Sequence, residues 1–117
     1  MARLSTHVLD TARGKPAAGV EVSVSILENG SARRLKAAVT NSDGRTDEPL
    51  LSGDSLPVGV YELIFSVGAY FLRMGEKLGD PPFLDDVAIR FGLSDPRGNY
   101  HVPLLIAPHG YSTYRGS

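Results

Sequence analysis

Between Val20 and Ile26 the chain alternates strictly. Val20, Val22, Val24 and Ile26 are apolar, and Glu21, Ser23 and Ser25 between them are polar. A period of two predicts a strand with one face buried and the other in water. Further strands are expected at Leu4–Leu9, Arg34–Thr40, Asp86–Phe91 and Tyr100–Ala107, with a last short one at Tyr111–Arg115. Arg45–Leu51 has room for a very short strand. Val60–Val67 carries apolar residues on both faces and reads as a central strand. Turn chemistry separates these runs: Gly14-Lys15-Pro16 with Gly19, Glu28-Asn29-Gly30-Ser31, Asn41-Ser42-Asp43-Gly44 and Leu56-Pro57-Val58-Gly59. One segment changes period. In Ala69–Leu78, Tyr70, Phe71, Met74 and Leu78 recur at helical spacing, Gly79 lies past the end and Pro81-Pro82 is a stop. Gly75 weakens that helix. About eight short strands at this spacing predict an all-β antiparallel sandwich.

Tyr100–Ala107 departs from the pattern. Its even residues, Tyr100, Val102, Leu104 and Ile106, suit a core. Its odd residues are His101, Pro103, Leu105 and Ala107, where a face open to water would carry charges. A second surface, another subunit, is expected to cover them. Pro103 has no N–H, so the strand is expected to bulge or lie at an edge there.

Composition narrows the function classes. A chain of 117 residues makes a single domain, 1–117, without a deep cleft of its own. Twelve Lys+Arg against 13 Asp+Glu argue against nucleic acid as a partner. With no cysteine, there are no disulfides, thiolate nucleophiles or Cys-based zinc sites. The longest apolar run, Val102–Ala107, is too short to span a membrane. The first residues lack the apolar stretch of a secretory signal, so a cytoplasmic location is expected.

Candidate chemistry rests on few residues. The histidines are His7, His101 and His109. Alternation puts His7 on the face of Ser5 and Leu9, and His101 on the uncharged face. Spacing alone allows two readings: a pair of acid/base imidazoles on one surface, or two unrelated histidines each bonded to a backbone group. Arg45 follows a tight turn. It is either a planar clamp for an anionic or carbonyl-rich ligand or a loop cation paired with Asp47 or Glu48. Ser117 ends the chain. It is either a frayed tail or a group held in place by the strand-like Tyr111-Ser112-Thr113-Tyr114. Asp85 and Asp86 point to opposite faces of a strand and make no dyad. No phosphate loop, Gly-x-Ser-x-Gly elbow or His-x₃₋₅-His spacing is present, and no metal is expected.

Taken together, these residues resemble one family. Leu4-Ser5-Thr6-His7-Val8-Leu9-Asp10 followed by Gly14-Lys15-Pro16-Ala17 is similar to the opening of the transthyretin-related proteins. Gly44-Arg45-Thr46, Tyr100-His101-Val102-Pro103-Leu104-Leu105-Ile106 and the closing Tyr111-Ser112-Thr113-Tyr114-Arg115-Gly116-Ser117 resemble their enzyme branch, the 5-hydroxyisourate hydrolases. The resemblance covers essentially the whole chain. It implies an eight-stranded two-sheet β-sandwich with one short helix, assembled as a homotetramer. That tetramer is a dimer of dimers with active sites at the dimer–dimer interface. It implies His7, Arg45, His101 and Ser117 as catalytic residues and Tyr114, Arg115 and Gly116 as substrate-binding, with His109 outside the site. No cofactor is implied. The implied reaction takes 5-hydroxyisourate to 2-oxo-4-hydroxy-4-carboxy-5-ureidoimidazoline, in the conversion of urate to allantoin. Two rival readings are a non-enzymatic transthyretin-like carrier of small molecules and a small recognition module.

Overall fold

The computed structural model describes residues 1–116. The alternation at Val20–Ile26 becomes β3 (Glu21–Glu28), which pairs antiparallel with β4 (Ser31–Val39). Asn29 and Gly30 join them with φ of 51° and 82°, the doubly positive turn that an Asn-Gly pair favours. β6 (Gly59–Ser66) lies on the other side of β3 and β7 (Asp86–Leu93) closes the sheet, giving the order β4-β3-β6-β7. β6 is thus interior, as its apolar residues on both faces predicted.

The second sheet is built on β1 (Ala2–Asp10). β5 (Leu51–Gly53) pairs with its start and β2 (Lys15–Pro16) with its end. On its other side β1 runs parallel to β8 (Asn99–Ala107), which pairs with β9 (Gly110–Thr113). The sandwich is therefore not purely antiparallel. Nine strands stand among the described residues against about eight expected. The addition is β2, where the Gly14-Lys15-Pro16 turn lies along Leu9 and Asp10, and the short strand expected at Arg45–Leu51 forms instead at Leu51–Gly53. Inward side chains of both sheets fill the space between them, among them Leu4, Val8, Val22, Val24, Tyr61 and Leu104. This interdigitation supplies the apolar burial that drives folding.

Two expectations need correction. The helix α1 covers Val67–Arg73, not Ala69–Leu78. Gly75, with φ of 86°, is its terminator: Gly75 N donates to Leu72 O and Glu76 N to Phe71 O, a pair of bonds that closes a helix at a left-handed residue. Pro103 is neither at an edge nor in a bulge. His101 pairs with Gly116 and Leu104 with Thr113, the same spacing on both strands, so no extra residue is inserted. The absent N–H is absorbed as a gap in the ladder, and Pro103 O accepts from Thr113 Oγ1 at 2.6 Å.

Candidate functional site

The parallel register sets Ser5 beside His101 and His7 beside Pro103. Even residues of both strands go into the core. Odd residues form the outer face, with Ser5, His7, Leu9, His101, Leu105 and Ala107 half-buried and Pro103 buried. His7 and His101 therefore stand on one surface, two register steps apart on neighbouring strands. Part of each reading open in the sequence is present: the two imidazoles share a surface, and His7 is bonded to a backbone carbonyl.

The Arg45 loop docks on the same strand. Asn41 organises it: Asn41 Oδ1 accepts from Asp43 N at 2.9 Å and Arg45 N at 3.3 Å, and Asn41 N donates to Arg45 O at 2.7 Å. Val8 N donates to Gly44 O at 2.7 Å. Gly44 has φ of 76°, and a Cβ there would collide with Val8 O, so only glycine lets the turn lie this close. Arg45 is thereby bridged to His7. The neighbouring acids engage other groups: Asp47 accepts from Asn41 Nδ2 at 3.0 Å, and Glu48 faces Lys36 at 3.9 Å. A hollow of about 270 Å³ opens here, with Arg3, Ser5, Arg45 and Thr46 in its lining.

Each imidazole has one nitrogen engaged. His7 Nε2 lies 2.9 Å from Asp43 O. A carbonyl only accepts, so His7 Nε2 carries a proton. His101 Nδ1 lies 2.9 Å from Ser5 Oγ. Burial, then the Arg45 guanidinium and then His7 hold the His101 pKa below its ordinary value of 6.5. His101 is thus neutral near pH 7 and free to take a proton.

The tail approaches from the other side of β8. Gly116 N donates to His101 O at 2.7 Å, and a Cβ on Gly116 would come within 2.7 Å of His101 Cδ2. Arg115 does not join the cluster. Alternation turns it to the opposite face, where its guanidinium lies 4.1 Å from the centre of the Tyr100 ring. Tyr114, on the His101 side by the same alternation, is exposed. Ser117 lies outside the described residues. His109 sits in the β8–β9 turn, its ring 6.0 Å from that of Phe83, apart from the cluster. Among the described residues no three His, Asp or Glu side chains form a metal-holding group.

Sequence reading missed Ser5, Asn41 and Gly44 as supports of the site. The tight-turn signal at Asn41–Gly44 marked a loop; what the loop docks on was not legible.

Fold and site together define a two-sheet β-sandwich whose outer sheet face carries two imidazoles and a guanidinium. The chain belongs to the HIUase/Transthyretin family, whose model matches residues 4–116. A curated relative from Halalkalibacterium halodurans, a 5-hydroxyisourate hydrolase, is 57% identical over 98% of this chain and 98% of its own. A solved (S)-allantoin synthase superposes with a TM-score of 0.91 at 42% identity. The match takes in 99% of this chain, which spans only 44% of that longer one. Sea bream transthyretin, solved with thyroxine, gives a TM-score of 0.85 at 28% identity over 97% of this chain and 94% of that one.

Proposed function

We propose that this chain hydrolyses 5-hydroxyisourate to 2-oxo-4-hydroxy-4-carboxy-5-ureidoimidazoline, on the way from urate to allantoin. The meeting of His7, His101 and Arg45 on one sheet face carries the reading. The substrate is planar and rich in carbonyls. Water adds to a ring carbonyl, the bond from that carbon to nitrogen breaks, and the ring opens to a carboxylate. The step needs a base for the water proton, a cation for the developing oxyanion, and a proton for the leaving nitrogen. The His7/His101 pair handles both proton transfers and titrates as a unit. Arg45 holds substrate oxygens with its planar fork and stabilises charge as it develops. Tyr114 and Gly116 border the substrate, and Ser117 is a further catalytic residue in this reading. Arg115 braces the tail on Tyr100.

The working molecule in this reading is a homotetramer, a dimer of dimers, with its sites at the dimer–dimer interface and its place in the cytoplasm. The half-buried, uncharged Leu9, Leu105 and Ala107 of the outer face support that assembly. No cofactor, nucleic acid or membrane takes part. A carrier in the manner of transthyretin fits less well. It calls for an apolar lining, and two histidines and an arginine would be desolvated there without a role. The test generates fresh 5-hydroxyisourate with urate oxidase and follows its ultraviolet absorbance. Added protein should speed the decay. An unchanged decay overturns the proposal.

A further inference from the structure

His101 is gripped at two edges of its ring. On one side the Ser5 hydroxyl meets Nδ1 at 2.9 Å, 96 residues away in sequence. On the other the bare backbone of Gly116 lies so close to Cδ2 that no side chain fits between. Ser5 and His101 are direct partners in the β1–β8 ladder, so the two side chains leave the sheet side by side. Among the described residues the bond at Nδ1 is the only hydrogen bond of this ring. Among the described residues nothing bonds its Nε2, on the edge away from both grips.

An imidazole acts as a base only through a nitrogen that carries a lone pair, and the bond at one nitrogen decides which that is. A free neutral imidazole side chain prefers its proton on Nε2, which would make the open nitrogen a donor. We propose that Ser5 is a positioning residue for the hydrolysis: its Oγ accepts a hydrogen bond from Nδ1–H of His101, fixing the ring and leaving the lone pair on Nε2 for the reacting water. His7 is held the other way round, with Nε2 donating to the Asp43 carbonyl and the lone pair left on Nδ1. The two rings thus hold opposite tautomers. Ser5 touches no reacting atom in this scheme. The inference rests on the hydrolase reading above.

The experiment compares the full chain with Ser5→Ala and Ser5→Thr, assembly being checked for each. Nitrogen-15 spectra of the histidine rings, recorded above pH 7, report the tautomer without reference to turnover. The wild type should show His101 protonated at Nδ1. Ser5→Ala should shift it towards Nε2–H, and Ser5→Thr, which keeps the hydroxyl, should restore it. With 5-hydroxyisourate, Ser5→Ala should lower kcat about tenfold to a hundredfold with a smaller change in KM, and Ser5→Thr should recover most of the loss. A His101 that carries its proton on Nε2 in the wild type overturns the proposal. So does a Ser5→Ala spectrum identical to wild type, or a Ser5→Ala kcat within about twofold of it. A wild type that shows the Nδ1–H tautomer but leaves 5-hydroxyisourate untouched refutes the hydrolase reading and, with it, the role of Ser5 in that reaction.

Discussion

Strand β1 carries a polar cluster on each of its faces, and the two are built on opposite terms. On the inner face Asp10 is 1% exposed. Its Oδ1 accepts from Ala12 N and Arg13 N at 3.0 and 3.1 Å, and its Oδ2 accepts from Tyr70 Oη at 2.8 Å. Arg13 Nε stands 3.4 Å from Oδ2, off the line of a hydrogen bond but near enough to balance the charge. Arg13 also donates to Met74 O at the end of α1. Burial, then the bond to Asp10, push the Tyr70 pKa up to about 12, so its hydroxyl stays a donor. On the outer face, charges of like sign are gathered. Arg45 and His7 both disfavour protonation of His101, and each ring offers a nitrogen to a ligand. A buried polar group whose partners are complete ties elements together. A half-exposed group kept short of partners and near like charges is poised to react.

The largest contrast comes from deleting the centre of each cluster. His101→Ala should lower kcat/KM about a hundredfold to ten-thousandfold and leave the melting temperature almost unchanged. Asp10→Ala should do the reverse, costing about 3 kcal/mol of stability because Tyr70, Arg13 and two backbone N–H groups lose their acceptor. Denaturant melts and turnover on the same preparations test both. A His101→Ala enzyme with near-normal kcat/KM would remove it from the proton transfer.

Milder changes sharpen the comparison. Gly116→Ala should cut turnover about tenfold by pressing its methyl into the His101 ring, with little loss of stability. Tyr70→Phe should cost about 1–3 kcal/mol in denaturant melts and leave turnover intact. Equal effects of the two variants on both measurements would erase the distinction between the faces.

The smallest effect is on proton affinity. His101 should titrate below 6.5 in the folded chain, read by nuclear magnetic resonance. The unfolded chain then binds more protons just below pH 6.5, so stability falls as the pH drops from there towards the lower folded value and levels off beneath it. Arg45→Gln removes a repelling cation and should move the midpoint upward. A downward move would contradict the assigned cause.

Much of this was legible from residue order alone. Period-two alternation is local, so the strands, the Asn29-Gly30 hairpin and the two faces of β8 could be read directly. The end of α1 was misjudged because apolar spacing continued to Leu78, while the backbone had already turned left-handed at Gly75. Arg115 was grouped with its sequence neighbours, yet alternation sends it to Tyr100 while Gly116 reaches His101. The family, its sandwich and the identity of its histidines and arginine were thus determined by the sequence. Only the tertiary structure decided that His7 and His101 share a surface, that the Asn41 loop docks on β1, and that Ser5 grips the ring. Each of those depends on pairing between segments far apart in sequence, from 36 residues for His7 and Asp43 to 96 for Ser5 and His101, and a two-residue period carries no information about which strand lies beside which.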